Sequence, residues 1–99
     1  MLNIVWEFHA RPERNAEFER IYESNGRWAQ LFSVSAAYHG TALVRDLNDP
    51  CRYLCIDRWD NMDEFQSFKQ SNKEDYAALD KMCEDLTVKE TLIGYFQTL

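Results

Sequence analysis

The sequence predicts an α+β domain with the element order βαββαβ. Three observations carry this: four β-rich runs, two helical stretches between them, and a turn signal separating the middle two runs. The chain of 99 residues is too short for two independent cores, so it is read as one domain over residues 1–99.

Residues 3–10 hold Ile4, Val5, Trp6 and Phe8, a strand-forming run that ends at Arg11-Pro12. Pro12 suits the first turn of a helix, where its missing N–H costs nothing. Phe18, Ile21 and Tyr22 then fall at i, i+3 and i+4, which makes one apolar stripe on a helix. Ser24-Asn25-Gly26 breaks that helix, and Trp28, Leu31 and Phe32 start a second short stripe. Residues 36–46 read as the second strand, with Gly40 a candidate bulge. Leu47-Asn48-Asp49-Pro50 is a turn, and residues 51–59 complete a hairpin. Asn61 with Glu64 three residues on resembles a capping box, so a helix begins there and runs to about Leu86. Its apolar spacing slips near Ser71-Asn72, which predicts a bend or break. Residues 88–97 form the last strand.

This order is the split-βαβ, ferredoxin-like arrangement: a four-stranded antiparallel sheet with two main helices on one face. Such a sheet should be polar on its other face. It is not. Cys51, Tyr53, Cys55, Asp57 and Trp59 share one parity, while Arg52, Leu54, Ile56 and Arg58 share the other. Ile4, Trp6, Phe8 and Ala10 oppose Val5, Glu7 and His9, and Leu92 and Phe96 oppose Ile93 and Tyr95. Apolar side chains on both parities mean that both faces are covered. With no chain left over, a second copy is the expected cover, giving a homodimer with sheets face to face.

Composition narrows the partners. Hydrophobic residues make up 45% and charged residues 28%, with three Gly and two Pro, which excludes a disordered or collagen-like chain. Eleven basic against seventeen acidic residues give a net charge of −6, and the Lys and Arg are scattered singly. Nucleic acid, anionic membrane and polyanionic substrates are therefore not expected. The opening LNIVWEFHA carries Glu7 and His9 without a basic lead-in, so it reads as a strand and not an export signal. Cys51 and Cys55 lie four apart on a strand, about 13 Å at ~3.3 Å per residue, too far for a disulfide. The three cysteines are read as small core fillers of a reduced, cytoplasmic protein.

Several segments resemble the antibiotic biosynthesis monooxygenase group of dimeric α+β barrels. They are EFHARPER at the end of the first strand, FERIY on the first helix, then GRWAQLF and GTALVRD. RYLCIDRWDNMDEF follows, where a strand ends in Trp and a capped helix begins, and ALD and IGYF complete the match. Relatives of this fold include cofactor-independent oxygenases, haem-degrading oxygenases, isomerases, mutarotases and members without known activity. The resemblance implies a cavity between the sheet and its helices, lined by the strand-end Trp, here Trp59. A core aromatic closing the end of the sheet is the plainer alternative for that residue.

Period 2 places Asp57, Cys55 and Tyr53 on the face that Trp59 occupies. A carboxylate in mid-strand among apolar neighbours needs a partner, so Asp57 is either a general base or a structural acid. Glu7 on the first strand poses the same question. His9 and His39 lie on predicted strands and titrate near neutrality; solvent exposure is the plainer account of both. Asp57, Glu7 and His9 are the candidate bases. Trp59, Tyr53, Trp28, Phe32, Phe68 and Tyr76 are the candidate substrate contacts, and Asp80 lies one turn after Tyr76.

No residue spacing of metal-site type is present, and no glycine-rich phosphate loop. The haem-degrading branch carries an iron-ligating His on the second helix, and the stretch Gln66-Ser67-Phe68-Lys69-Gln70 has none. The leading expectation is a cofactor-independent monooxygenase acting on a small apolar or aromatic molecule. A non-catalytic dimeric binding or stress-response module, or an isomerase or mutarotase on the same fold, are the alternatives.

Overall fold

The computed structural model describes residues 1–99. Its strands are β1 (Leu2–Ala10), β2 (Tyr38–Arg45), β3 (Arg52–Trp59) and β4 (Thr87–Gln97). They pair antiparallel in the order β2-β3-β1-β4, which is the ferredoxin-like topology. The central β1–β3 ladder runs in unbroken register from Leu2 opposite Trp59 to His9 opposite Arg52. Both outer ladders are interrupted by bulges.

The first helical stripe begins as a 3-10 turn at Pro12–Arg14 and continues as α1 (Asn15–Tyr22). Gly26 separates it from α2 (Arg27–Phe32). A Cβ at Gly26 would sit 2.3 Å from the Ile21 carbonyl oxygen, so the close turn between the two helices admits only glycine. The second stripe divides into α3 (Met62–Ser71) and α4 (Lys73–Cys83), with the break falling at Asn72, where the spacing slips. The Asn72 amide and backbone N–H both donate to the Phe68 carbonyl, ending α3. Asn61 caps the other end: its Oδ1 accepts from the Glu64 N–H at 2.9 Å. A last 3-10 turn, Glu84–Leu86, leads into β4.

The helices bury one face of the sheet. Ile4, Phe8, Tyr53, Cys55 and Trp59 stand on it, and Phe18, Tyr22, Phe32, Phe65, Phe68 and Leu79 pack down from the helices. The aromatic residues form a nearly continuous layer; Phe18 stacks on Tyr22 at 4.3 Å and meets Tyr53 at 4.7 Å. Cys55 and Cys83 are buried within it, and all three cysteines are free thiols. No helix is long and apolar enough to cross a membrane.

The parity expected of the last strand requires correction. Leu92 and Phe96 do not share a face, because Ile93 is an extra residue in a bulge: Trp6 pairs with Leu92 and Val5 with Gly94. Leu92 and Tyr95 thus belong with the helix-side residues Trp6 and Ile4, and Phe96 with Asn3 on the far side. The candidate bulge at Gly40 is present. There His39 is the unpaired residue, and Gly40 takes a φ of +123°. Across the far face lie half-buried Val5, Leu54 and Ile56, with Val44 and Phe96 exposed.

Candidate functional site

The register that builds the sheet also builds a cavity. Trp6 on β1 stands opposite Cys55 on β3, and Ile4 stands opposite Asp57. Period 2 therefore brings Trp6, Phe8, Cys55 and Asp57 to the helix side together. Between them and the helices is a cavity of about 260 Å³. Trp6, Phe8, Tyr22, Trp28, Phe32 and Tyr76 make its aromatic wall. Its polar groups are Cys55, Asp57, Lys69, Asp80 and Glu90.

Asp57 is the buried acid of this site, only 8% exposed. Thr41 stands opposite it in the β2–β3 ladder and donates its hydroxyl proton to Asp57 Oδ1 at 2.7 Å. Because Thr41 donates there, the Tyr38 hydroxyl must donate to Thr41, which makes a short relay toward the end of the sheet. The Cys55 thiol points at the same Oδ1, 3.8 Å away. Oδ2 has no hydrogen-bond partner and is not sealed in, and no cation pairs with the carboxylate. Burial pushes the Asp57 carboxyl up to about 6, against the opposing pull of the Thr41 and Cys55 hydrogen bonds. The result is an ionised but unusually basic carboxylate near neutral pH, with one oxygen free.

Glu7 and His9 are not with it. They stand on the opposite face of the sheet, as their parity in β1 requires. Glu7 accepts from Arg52 Nε at 2.6 Å, and His9 Nε2 lies 3.8 Å from the same carboxylate. Arg52 also holds Asp46 at 3.0 Å. The Arg52 hydrogen bond keeps the Glu7 carboxyl below its ordinary value, so this acid is a paired anion. His39 lies at the sheet edge beside Asp60. No three His, Cys, Asp or Glu side chains converge as a metal site would require.

The candidate substrate contacts divide. Trp28, Phe32 and Tyr76 line the cavity. Trp59 does not: it is fully buried, enclosed by Phe68 at 5.1 Å, Phe65 at 5.2 Å, Tyr38 at 5.3 Å and Phe32 at 5.5 Å. Phe68 sits in that same enclosure behind the wall. Tyr53 turns toward α1, where its hydroxyl donates to Glu19 at 2.6 Å and accepts from Asn15 at 3.1 Å. Wall residues outside the sequence-based set are Trp6, Phe8, Tyr22, Lys69 and Glu90. Trp6 and Phe8 carried a usable signal, the parity they share with Asp57 across neighbouring strands. Lys69 and Glu90 carried none, since both read as solvated surface charges.

At the rim, α4 places Tyr76 and Asp80 one turn apart, and β4 brings Glu90 alongside. Burial and the nearby Asp80 and Asp57 charges push the Tyr76 hydroxyl up to about 12, so it remains a proton donor. Burial, then Asp80, raises the Glu90 carboxyl. The Lys69 ammonium rests 5.0 Å from the Tyr76 ring centroid and 5.5 Å from that of Phe65.

The antibiotic biosynthesis monooxygenase family profile matches residues 1–78. The chain belongs to the antibiotic biosynthesis monooxygenase family. Solved structures agree on the fold. SnoaB, a cofactor-independent oxygenase from Streptomyces nogalater, superposes with a TM-score of 0.78 at 19% identity, covering 99% of this chain and 92% of that one. An asparagine-to-alanine variant of SnoaB gives 0.81 at 20% identity, covering 98% and 91%. A candidate antibiotic biosynthesis monooxygenase of Bordetella bronchiseptica gives 0.74 at 22% identity, covering 99% and 96%. At these identities the likeness is one of fold. No curated protein sequence matches. Within this monooxygenase-family chain, Asp57, Lys69 and Tyr76 fall inside the matched segment, and Asp80 and Glu90 beyond it.

Proposed function

We propose that this family member is a cofactor-independent monooxygenase that oxidises a small aromatic molecule in the cavity beside Asp57. The observation that carries the reading is a buried carboxylate with one free oxygen facing an aromatic-walled space. Family membership and the likeness of fold to SnoaB support it. In this chemistry Asp57 Oδ2 removes a proton from an activated carbon or phenol, and the aromatic wall holds the resulting anion away from bulk water. The anion passes one electron to dioxygen, and the radical pair combines into a carbon–peroxide bond. Loss of the second proton from that carbon breaks the O–O bond. One oxygen atom stays as a carbonyl and the other leaves as water.

The far face of the sheet, with Val5, Leu54, Ile56 and Phe96, supports a homodimer built face to face. The three free thiols suit a reducing compartment such as the cytoplasm.

Aerobic incubation with anthrone and with substituted quinols, read by mass spectrometry under ¹⁸O₂, tests the activity. The expected result is a quinone product carrying one labelled atom, with the rate falling about 10²- to 10⁴-fold in Asp57→Asn. Turnover that survives Asp57→Asn removes this base from the mechanism. Binding of the same compounds with no product across the panel favours the non-catalytic binding module.

A further inference from the structure

Proton removal by Asp57 leaves Lys69, Asp80 and Glu90, the other charged groups of the cavity, without work. Asp57, Asp80 and Glu90 bring three carboxylates to the same space, against the single ammonium of Lys69. None of the four is in an ion pair with another: Lys69 has no carboxylate within 4.0 Å, and Asp80 and Glu90 have no hydrogen-bond partner. Asp57, Asp80 and Glu90 all line this one cavity together with Tyr76. Acidity alone would be an ordinary solvated patch. Here it rims a cavity whose floor holds a nearly sealed carboxylate with a free oxygen, and whose wall is aromatic on several sides.

Ring faces carry negative quadrupole potential, and a cation placed over them gains most where water is excluded. Lys69 demonstrates this chemistry at the site itself, because its ammonium lies over the Tyr76 and Phe65 rings and not against an acid. We infer that the cavity selects an aromatic molecule bearing a positive charge, as an amine or quaternary ammonium group, over neutral or anionic aromatics of the same size. The ring lies against Trp6 and Trp28, and the cationic group lies between Tyr76, Asp80 and Glu90. This assignment rests on the reading of the cavity as a substrate site and names the class of molecule it takes. It also suits the proton removal by Asp57, since a positive substituent acidifies the aromatic framework that carries it.

Three near-isosteric probes test it: benzyltrimethylammonium, neutral benzyl methyl sulfone and anionic benzylsulfonate. Binding is read from the fluorescence of the wall tryptophans Trp6 and Trp28. The expected order is ammonium, then sulfone, then sulfonate, with about a tenfold preference for the first over the second. The double variant Asp80→Asn/Glu90→Gln, both sites being exposed, is expected to weaken the ammonium about fivefold and leave the sulfone unchanged. Sulfone or sulfonate binding as tightly as the ammonium overturns the inference, and so does an ammonium affinity unmoved in the double variant. Those results leave the oxygenation reading standing if the Asp57-dependent product is found. Failure of all three probes to bind at millimolar concentration also overturns the inference, while loss of the Asp57-dependent product is what overturns the substrate-cavity reading.

Discussion

Asp57 costs the folded chain free energy at neutral pH, because its carboxylate is ionised in a place where the proton is preferred. The sign follows from the two states. Folded, the group holds its proton up to about 6; unfolded, it releases it near the ordinary aspartate value of 3.8. Stability is therefore greatest below pH ~4 as far as this group is concerned, and falls as pH rises through about 6. The neighbouring Cys55 thiol, Tyr38 and Tyr76 are all raised and stay neutral over this range, while the Glu90 carboxyl at the rim is raised in the same direction as Asp57. Asp57→Asn is thus expected to be more stable than the parent at pH 7.5, by up to about 3 kcal/mol, with the difference vanishing near pH 4. Urea denaturation at pH 4, 5.5 and 7.5 measures this. Equal stability at all three values would show that the carboxylate is not desolvated. Asp57 was legible in the sequence because a lone acid in an alternating apolar strand has few explanations. Trp59 was misleading for a physical reason: strand-end position does not distinguish a wall from a core. The answer depended on Phe65 and Phe68 from α3 arriving on top of it.

Helices and strands were more readable than their faces. The break at Asn72, the cap at Asn61 and the bulge at Gly40 all rest on local chemistry, which short stretches of sequence express directly. The faces of β4 rest on a count, and one extra residue at Ile93 reverses everything beyond it. Gly94 in TLIGYFQ is the one local signal, of the same kind as Gly40, and the ladder with β1 fixes which residue is extra. The α1–α2 corner offers a sharp check on the element scale. Gly26→Ala forces a methyl group onto the Ile21 and Arg20 carbonyl oxygens, at 2.3 and 2.7 Å, where backbone must move. The expected loss is about 1–3 kcal/mol in chemical denaturation, with Trp28 and Phe32 displaced from the cavity wall. A variant as stable as the parent would mean that the corner relaxes freely.

On the scale of the whole molecule, the sheet carries apolar residues on a side that no helix covers. Light scattering at micromolar concentration is expected to give twice the 11.8 kDa chain mass. Ile56→Asp places a charge at the middle of β3 on that side and is expected to yield folded monomer by circular dichroism and light scattering. A monodisperse parent monomer would sink the face-to-face assembly. The distribution of bulges across the sheet has a consequence for what the molecule does not do. The inner β1–β3 ladder has none, while the ladders of both border strands, β2 and β4, are interrupted. A border strand with an even row of free amides and carbonyls is a template for fibrous, cross-β growth, and residues that fall out of step spoil that template. His39, Val88 and Ile93 are the residues that fall out of step. In the proposed face-to-face dimer the broad apolar face would be covered, and the border strands, out of step at these residues, would be poor templates for further strands.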